Sequence, residues 1–259
     1  AYITRRSGKK VQHQPVMVIG QEKGHGQEFR NGGSVKPWGN SKALKYMRVA
    51  ETENIPIHTY IFTPGSFPVE DFPGAAQQIA RNLYEMAALK VPIVACISEG
   101  GSGGAEAIGL ADTRLMLSHG YYSVISPEGA AAIEGHIRQG QRASSALVEK
   151  CALQLGITAQ DNLKNGYIDE IVQEPPLGAR PDHYDFFKDL RQAVIRATDQ
   201  VVLNVKGIQF FRAMHLRGNQ RKNKTADAES IYVKWSLNNP ARRELVYRRY
   251  LKFMRMSRW

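Results

Sequence analysis

At 259 residues, 42% apolar and 23% charged, the chain is long enough for a sizeable core and has the composition of an ordinary globular protein. No apolar run approaches the roughly 18–20 residues of a membrane span. Two cysteines, Cys96 and Cys151, are too few for a disulfide framework and lack the CxxC spacing of a zinc or redox site. They read as small buried filler in a reducing compartment, the cytoplasm or an organelle matrix such as a plastid or mitochondrion. The opening AYITRRSGKK has no apolar signal core. The net charge of +11 is uneven: residues 1–203 hold 21 basic and 21 acidic side chains, residues 204–259 hold 14 and 3. A neutral body with a cationic tail is the signature of an interaction rather than of a fold.

Along the chain, apolar segments alternate with amphipathic ones of helical length, which predicts an α/β fold. PVMVIGQEKG is a strand ending in a glycine turn, and SKALKYMRVAETEN a helix with Ala43, Leu44, Met47 and Ala50 on one face and Ser41 as N-cap. IPIHTYIFTPG is a second strand. FPGAAQQIARNLYEMAALK is a helix with Ile79, Leu83 and Met86 on one face, and VPIVACISEGG a third, nearly continuous apolar strand. A short helix in GGAEAIGLAD, a strand and turn in TRLMLSHGYYSVISPEGAAAI and a helix in SSALVEKCALQLGI ending at Gly156 follow. NLKNGYIDEIVQEPPLGARPD reads as a turn, a short strand and a proline-rich exit, and YDFFKDLRQAVIRATDQVVLNV as a long helix. From about Lys206 the texture becomes basic with interleaved aromatics.

The stretch CISEGGSGGAEAIGLAD, Cys96 to Asp112, carries the most chemical information. If the strand ends near Ser98 and a helix begins within SGGAEAIG, the backbone N–H groups of Gly100 to Gly103 stand at a helix N-terminus. There the first amides lack partners and the dipole favours negative charge. Without Cβ atoms a ring or acyl carbonyl reaches the main chain, and such donors stabilise a developing oxyanion by roughly 3 kcal/mol each. The same glycines also suit a tight turn with close helix-on-sheet packing. The order of glycines matches neither GxxxxGK[ST] nor GxGxxG, which disfavours a P-loop or a dinucleotide site.

EGGSGGAEAIGLAD, YYSVISPEGAAAI and LGITAQDNLKNGYIDEIVQEPPLGARPD together resemble the carboxyltransferase alpha subunit family of acetyl-CoA carboxylase. GKKVQHQPVMVIGQEKG, KALKYMRVAETENIPIHTYIFTPGSFP and QQIARNLYEMAALKVPIV fit the same family in the same order, so the resemblance runs from about Lys9 to Ala197. It implies a crotonase-like fold of ββα units in a spiral over residues 1–203, with 204–259 as a basic, mainly helical C-terminal extension. It also implies the work of that family: with a beta-type partner, transfer of a carboxyl group from biotin on a biotin carboxyl carrier protein to acetyl-CoA, giving malonyl-CoA. Backbone N–H pairs do the chemistry there, one holding the thioester enolate and the other the biotin ureido oxygen. Carried over, the latter pair falls on Gly100 and Gly101, with Ser102 and Gly103 shaping the turn, and no metal is required of this chain.

The chain departs from the family at Glu106, where an apolar residue is usual, and at Phe62, where Asp is common; the loop after Pro68 is also shorter. Glu106 is expected in the first turn of the helix as a solvated cap, although a carboxylate there opposes an anion at the same N-terminus. Ser126 and Gly129, in a second glycine-containing turn with Pro127 at the first helical position, are candidates to shape the biotin or partner surface, or a plain capped helix start. Lys23 is a candidate contact for a CoA phosphate. The seven histidines show no HxxxH or HExxH spacing, and GGSGG matches a GxSxG nucleophile elbow in letters but not in context. The tail, with seven basic residues from Arg242 to Arg258 among Tyr247, Tyr250, Phe253 and Trp259, suits RNA or an acidic protein surface. A helix from Pro240 brings Leu245, Arg249 and Lys252 together without a clean apolar stripe. The alternative function is therefore a non-catalytic subunit of the same fold, docked into a large assembly through residues 204–259.

Overall fold

A computed structural model describes residues 1–7, 10–23, 30–67, 74–138, 141–207 and 232–256. The loop after Pro68, the segment 208–231, Arg258 and Trp259 lie outside the described residues. An antiparallel hairpin, β1 (Tyr2–Ser7) on β2 (Lys10–Pro15), opens the chain and is absent from the sequence expectation. The strands β3 (Met17–Gly20), β4 (Ile57–Thr63), β5 (Ile93–Gly101), β6 (Thr113–Ser123) and β7 (Glu170–Val172) then form one parallel sheet in that order. Helices α1 (Pro37–Glu53) and α2 (Ala75–Ala88) connect the first three of them, and the five-residue α3 (Ser102–Glu106) leads from β5 towards β6. After β6 come α4 (Pro127–Glu134), α5 (Ser145–Leu155) and α6 (Ala159–Lys164), and after β7 come α7 (Tyr184–Lys206) and α8 (Asn239–Met256).

The nearly continuous apolar run of β5 follows from burial on both faces. Ile93, Ala95 and Ile97 pack with Met47, Met86 and Met116, while Val94 and Cys96 pack with Phe186 and Val194 of α7. Burial pushes the Cys96 thiol up to about 12. Gly156 ends α5 in the left-handed conformation, as expected.

Two local expectations are corrected. Ser41 is not the cap of α1: the helix begins four residues earlier, with Lys36 as its N-cap and Pro37 at the first position, where a fixed φ and a missing N–H cost nothing. In α2 the buried face is Ala75, Gln78, Asn82 and Met86, with Ile79 and Leu83 at its flank. Polar residues win that face because three segments need tying: Gln78 bonds Asn82, whose amide donates to the Asn40 and Ala107 carbonyls at 3.0 and 2.9 Å.

The change of composition near residue 204 is not a change of packing. Helix α7 runs on to Lys206, and Val233, Trp235, Leu237, Ala241 and Leu245 share one cluster with Val16, Ile195 and Val202. A buried ion pair lies beneath it: Arg5 of the hairpin reaches Asp199 of α7 at 2.9 and 2.7 Å, and the Trp235 indole donates to the same carboxylate at 2.7 Å. Every buried charge there meets an opposite charge or a donor, the condition under which burial is tolerated.

His58 of β4 is buried beside that network, edge-on to Trp235 and 2.9 Å from the Thr198 hydroxyl. Burial lowers its pKa to about 3, so the fold holds it neutral while the unfolded chain protonates it near 6.5. Stability conferred by the neutral ring is thus complete above pH 6.5 and is lost as pH falls towards 3. By linkage the loss reaches about 2 kcal/mol at pH 5. Urea unfolding at pH 7 and pH 5 checks this: a His58→Gln variant should start less stable at pH 7 yet lose less than the parent between the two pH values.

Candidate active site

The C-terminal ends of β4, β5 and β6 form the edge at which parallel α/β sheets place their ligands. Strand β5 runs past Ser98 to Gly101. After an irregularity between Ile97 and Glu99 the pairing resumes, with Gly100 opposite Thr63 on one side and Tyr122 on the other, and Gly101 opposite Ser123. Gly100 and Gly101 are therefore strand residues, and the amides at the start of the helix belong to Ser102 and Gly103. No side chain caps that start. Ser102 takes a left-handed φ of 53°, which costs a residue with a Cβ roughly 1–2 kcal/mol, and this reversal lets α3 begin directly from the strand.

The glycines are explained largely by the loop that follows β4. A Cβ on Gly101 would lie 1.8 Å from the Pro64 carbonyl oxygen, and one on Gly104 would lie 2.3 Å from the Gly65 carbonyl carbon. Main chain rests on main chain at both points. A Cβ on Gly103 would meet only the tip of Ile79, at 3.0 Å, and Gly103 faces open space on its other side.

That space is a cavity of about 360 Å³, near the lower end of small-molecule sites. Ser102, Gly103, Glu106, Arg114, Tyr122 and Asn162 are among its walls. Glu106 is the last residue of α3, so the expected role as an N-terminal cap does not hold: a helix of five residues puts it at the far end. Its carboxylate accepts from Arg114 Nη2 at 3.3 Å. Arg114 is buried and held on every other side. It donates to the Gly109 carbonyl at 3.0 Å, the Tyr122 hydroxyl at 3.2 Å and the Tyr167 carbonyl at 3.3 Å, and its guanidinium stacks 4.8 Å over the Phe253 ring of α8.

A family model described as acetyl co-enzyme A carboxylase carboxyltransferase-like matches residues 7–217. The chain belongs to that family. It is 44% identical over 192 residues to the acetyl-coenzyme A carboxylase carboxyl transferase subunit alpha of Dichelobacter nodosus, covering 72% of this chain and 58% of that protein. To the subunit of the same name from Thiobacillus denitrificans it is 46% identical over 187 residues, covering 70% and 56%. The chain thus spans less than two thirds of the length of these relatives. Among solved structures it resembles a Pseudomonas malonate decarboxylase hetero-tetramer in complex with coenzyme A, at TM-score 0.52 and 14% identity over 76% of this chain and 79% of that one. It also resembles transcarboxylase 12S, at TM-score 0.51 and 17% identity over 66% and 34%. These likenesses establish the crotonase-like α/β fold.

The remaining expected site residues of this carboxyltransferase-like chain fall outside the cavity. Ser126 caps α4 by accepting from Gly129 N at 3.0 Å, so these two residues satisfy each other at a capped helix start. Lys23 is bonded to Glu99 and lies 5.1 Å over the Phe62 ring, so its ammonium is engaged within the protein rather than held out for a phosphate. Tyr121 donates to the other Glu99 oxygen at 3.0 Å, and burial together with that carboxylate pushes its phenol well above its ordinary value. Among the described residues no group of three His, Cys, Asp or Glu side chains could hold a metal ion, and no helix is long and apolar enough to cross a membrane.

Sequence reading missed Arg114, Tyr122 and Asn162 as walls of the cavity. Arg114 had a signal: a charge inside the apolar strand TRLML, at a position whose neighbours are core. Asn162 had none, because its amide, which also bonds the nearby Ile157 and Thr158 carbonyls, reaches the Tyr122 carbonyl only when α6 has packed against β6. The basic tail also reads differently in three dimensions. Arg249 is buried, Lys252 donates to the Asp112 carbonyl at 3.0 Å and to Asp169 at 2.5 Å, and Arg242 donates to the Glu51 carbonyl at 3.0 Å. Ala241, Leu245 and Arg249 form the buried stripe of α8, so the absence of a clean apolar stripe is as expected.

Proposed function

We propose that this chain is an alpha-type carboxyltransferase subunit which, with a beta-type partner, transfers a carboxyl group from carboxybiotin on a biotin carboxyl carrier protein to acetyl-CoA, forming malonyl-CoA. The observation that carries this reading is the uncapped helix start at Ser102 and Gly103, opening on a cavity in a chain of this family. Carboxybiotin arrives as a substrate on its carrier, and the residues present fit its ureido ring. Ser102 and Gly103 line the space at an uncapped helix start, and the cavity is of small-molecule size. Negative charge develops on the ureido oxygen as the carboxyl group leaves. Fixed donors aimed at that oxygen lower the barrier by about 3 kcal/mol each, without reorganisation at the moment of reaction.

The donor set is the turn from Gly100 to Gly103, with Ser102 and Gly103 presenting their amides to the cavity and Gly100 and Gly101 fixing the strand from which the turn departs. Ser126 and Gly129 act at one remove, by holding the start of α4 next to the end of β6. The reading in which a basic tail docks a non-catalytic subunit on RNA has less support, since Arg242, Arg249 and Lys252 are spent on contacts within the chain.

Co-expression with a zinc-ribbon beta-type chain, purification of the pair and assay of malonyl-CoA-dependent carboxylation of biotin test the proposal. A pure complex that forms and stays inactive would sink it.

A further inference from the structure

We propose that the Glu106 carboxylate is a ligand-binding group, the acceptor for a ring N–H of a cyclic urea held in the cavity beside α3. The assignment rests on the carboxyltransferase reading, which supplies a ureido ring as the ligand. A cyclic urea offers one carbonyl acceptor and, flanking it on the same small ring, N–H donors. On that reading the turn from Gly100 to Gly103 supplies donors for the carbonyl, and the ring N–H then needs an acceptor on the cavity wall. An ionised carboxylate is acceptor-only and makes stronger hydrogen bonds than a neutral group.

Glu106 lines the cavity, and one of its oxygens, Oε2, rests on Arg114. Its other oxygen, Oε1, has no partner among the described residues. The support beneath it is rigid: Arg114 has 5% of its side chain exposed and is fixed by Gly109, Tyr122, Tyr167 and the Phe253 ring. A carboxylate anchored through one oxygen to a fixed guanidinium presents the other at a defined place, which is the preorganisation a binding group requires. Arg114 also resolves the objection that a carboxylate opposes charge at the helix start. The two charges offset each other locally, so the amides of Ser102 and Gly103 retain their preference for an oxygen acceptor.

The test uses the full 259-residue chain and two small probes, 2-imidazolidinone and its N,N′-dimethyl derivative, with free biotin as a third. Affinities are read by NMR titration for the wild type, Glu106→Leu and Glu106→Gln. Loss of the acceptor should weaken 2-imidazolidinone and biotin roughly ten-fold in the leucine variant while leaving the dimethyl compound unchanged. The glutamine variant, whose amide oxygen still accepts, should retain most of the affinity. Undiminished binding of 2-imidazolidinone by a folded leucine variant overturns the proposal. Should that variant fail to fold, the wild type decides, because equal affinity for the two imidazolidinones also overturns it. Failure of all three probes to bind the wild type overturns it as well, and the carboxylation assay of the complex then judges the carboxyltransferase reading separately.

Discussion

Replacing Arg249 by Met is expected to lower the stability of the protein by about 3–5 kcal/mol, a fall in melting temperature on the order of 10 °C for a chain of this length. Few side chains in the molecule hold so many groups at once. Arg249 is 1% exposed, and its guanidinium donates to both oxygens of Asp112 at 2.9 and 2.8 Å and to the carbonyls of Met86, Leu89 and Val91 at 2.8, 2.6 and 3.0 Å. Those carbonyls lie at the end of α2 and on the approach to β5; that of Met86 also accepts from the Leu89 N–H at 3.3 Å. Methionine keeps the length and apolar stem of the side chain, so the change isolates the charge and its hydrogen bonds. What remains is a buried carboxylate without its cation and the Leu89 and Val91 carbonyls without the donor they had, each costing about 1–3 kcal/mol before relaxation. Adding Asp112→Asn should cost less than the sum of the two single changes, because the uncompensated charge is gone. Thermal melts of the four proteins of this cycle check both statements. A loss under 1 kcal/mol in the single variant would mean that α8 is not docked as described.

A second large effect is expected at Gly101. Alanine there places a Cβ 1.8 Å from the Pro64 carbonyl oxygen and 2.3 Å from its carbonyl carbon, and neither backbone segment can turn aside as a side chain would. Overpacking of this kind costs about 1–3 kcal/mol. The functional effect should be larger, because the strand that carries Ser102 and Gly103 shifts with it, and displacement of about 1 Å at a reacting group costs on the order of 100-fold in rate. Gly103→Ala is the informative companion. Its Cβ meets only Ile79 Cδ1 at 3.0 Å, a flexible tip, so stability should change little. If the main chain at Gly103 approaches the reacting ring, transfer should nevertheless fall steeply in that variant. Melting temperature and carboxyl transfer by the reconstituted complex, measured for both variants, separate a glycine kept for packing from one kept for approach. Full activity in Gly103→Ala would show that transfer does not need a missing Cβ at that residue, since alanine keeps the N–H.

The order of strands and helices was legible in the sequence because each element carries its own period. The apolar run of β5, the amphipathic helices and Gly156 as a helix end all follow from local pattern. Where the reading slipped, local pattern met a competing tertiary demand. In α2 an apolar stripe through Ile79 and Leu83 lost the core face to Gln78 and Asn82, which tie α1 and the segment after α3 to the helix. In the Gly-rich turn, strand pairing on both sides of Gly100 carried β5 three residues beyond Ser98. The family resemblance located the turn, while the cavity wall, from Arg114 to Asn162, is assembled from segments far apart in the chain.

The tail shows the same division most plainly. Composition marks residues 204–259 as different, and by charge alone they read as a surface awaiting an anion. Charge is a property of the residues and can be counted along the chain. Whether a charge faces solvent depends on whether partners lie within reach, and for Arg249 those partners are Asp112 and three carbonyls between 137 and 163 residues away. The sequence by itself determined the main-sheet strands, most helices, the glycine turn and the family, but not the opening hairpin. Only the tertiary structure decided that the basic helix completes the core, that Glu106 stands at the far end of α3 against Arg114, and that Ser102 and Gly103, rather than Gly100 and Gly101, line the cavity. Each of these is a matter of distance between residues remote in sequence, on which local pattern is silent.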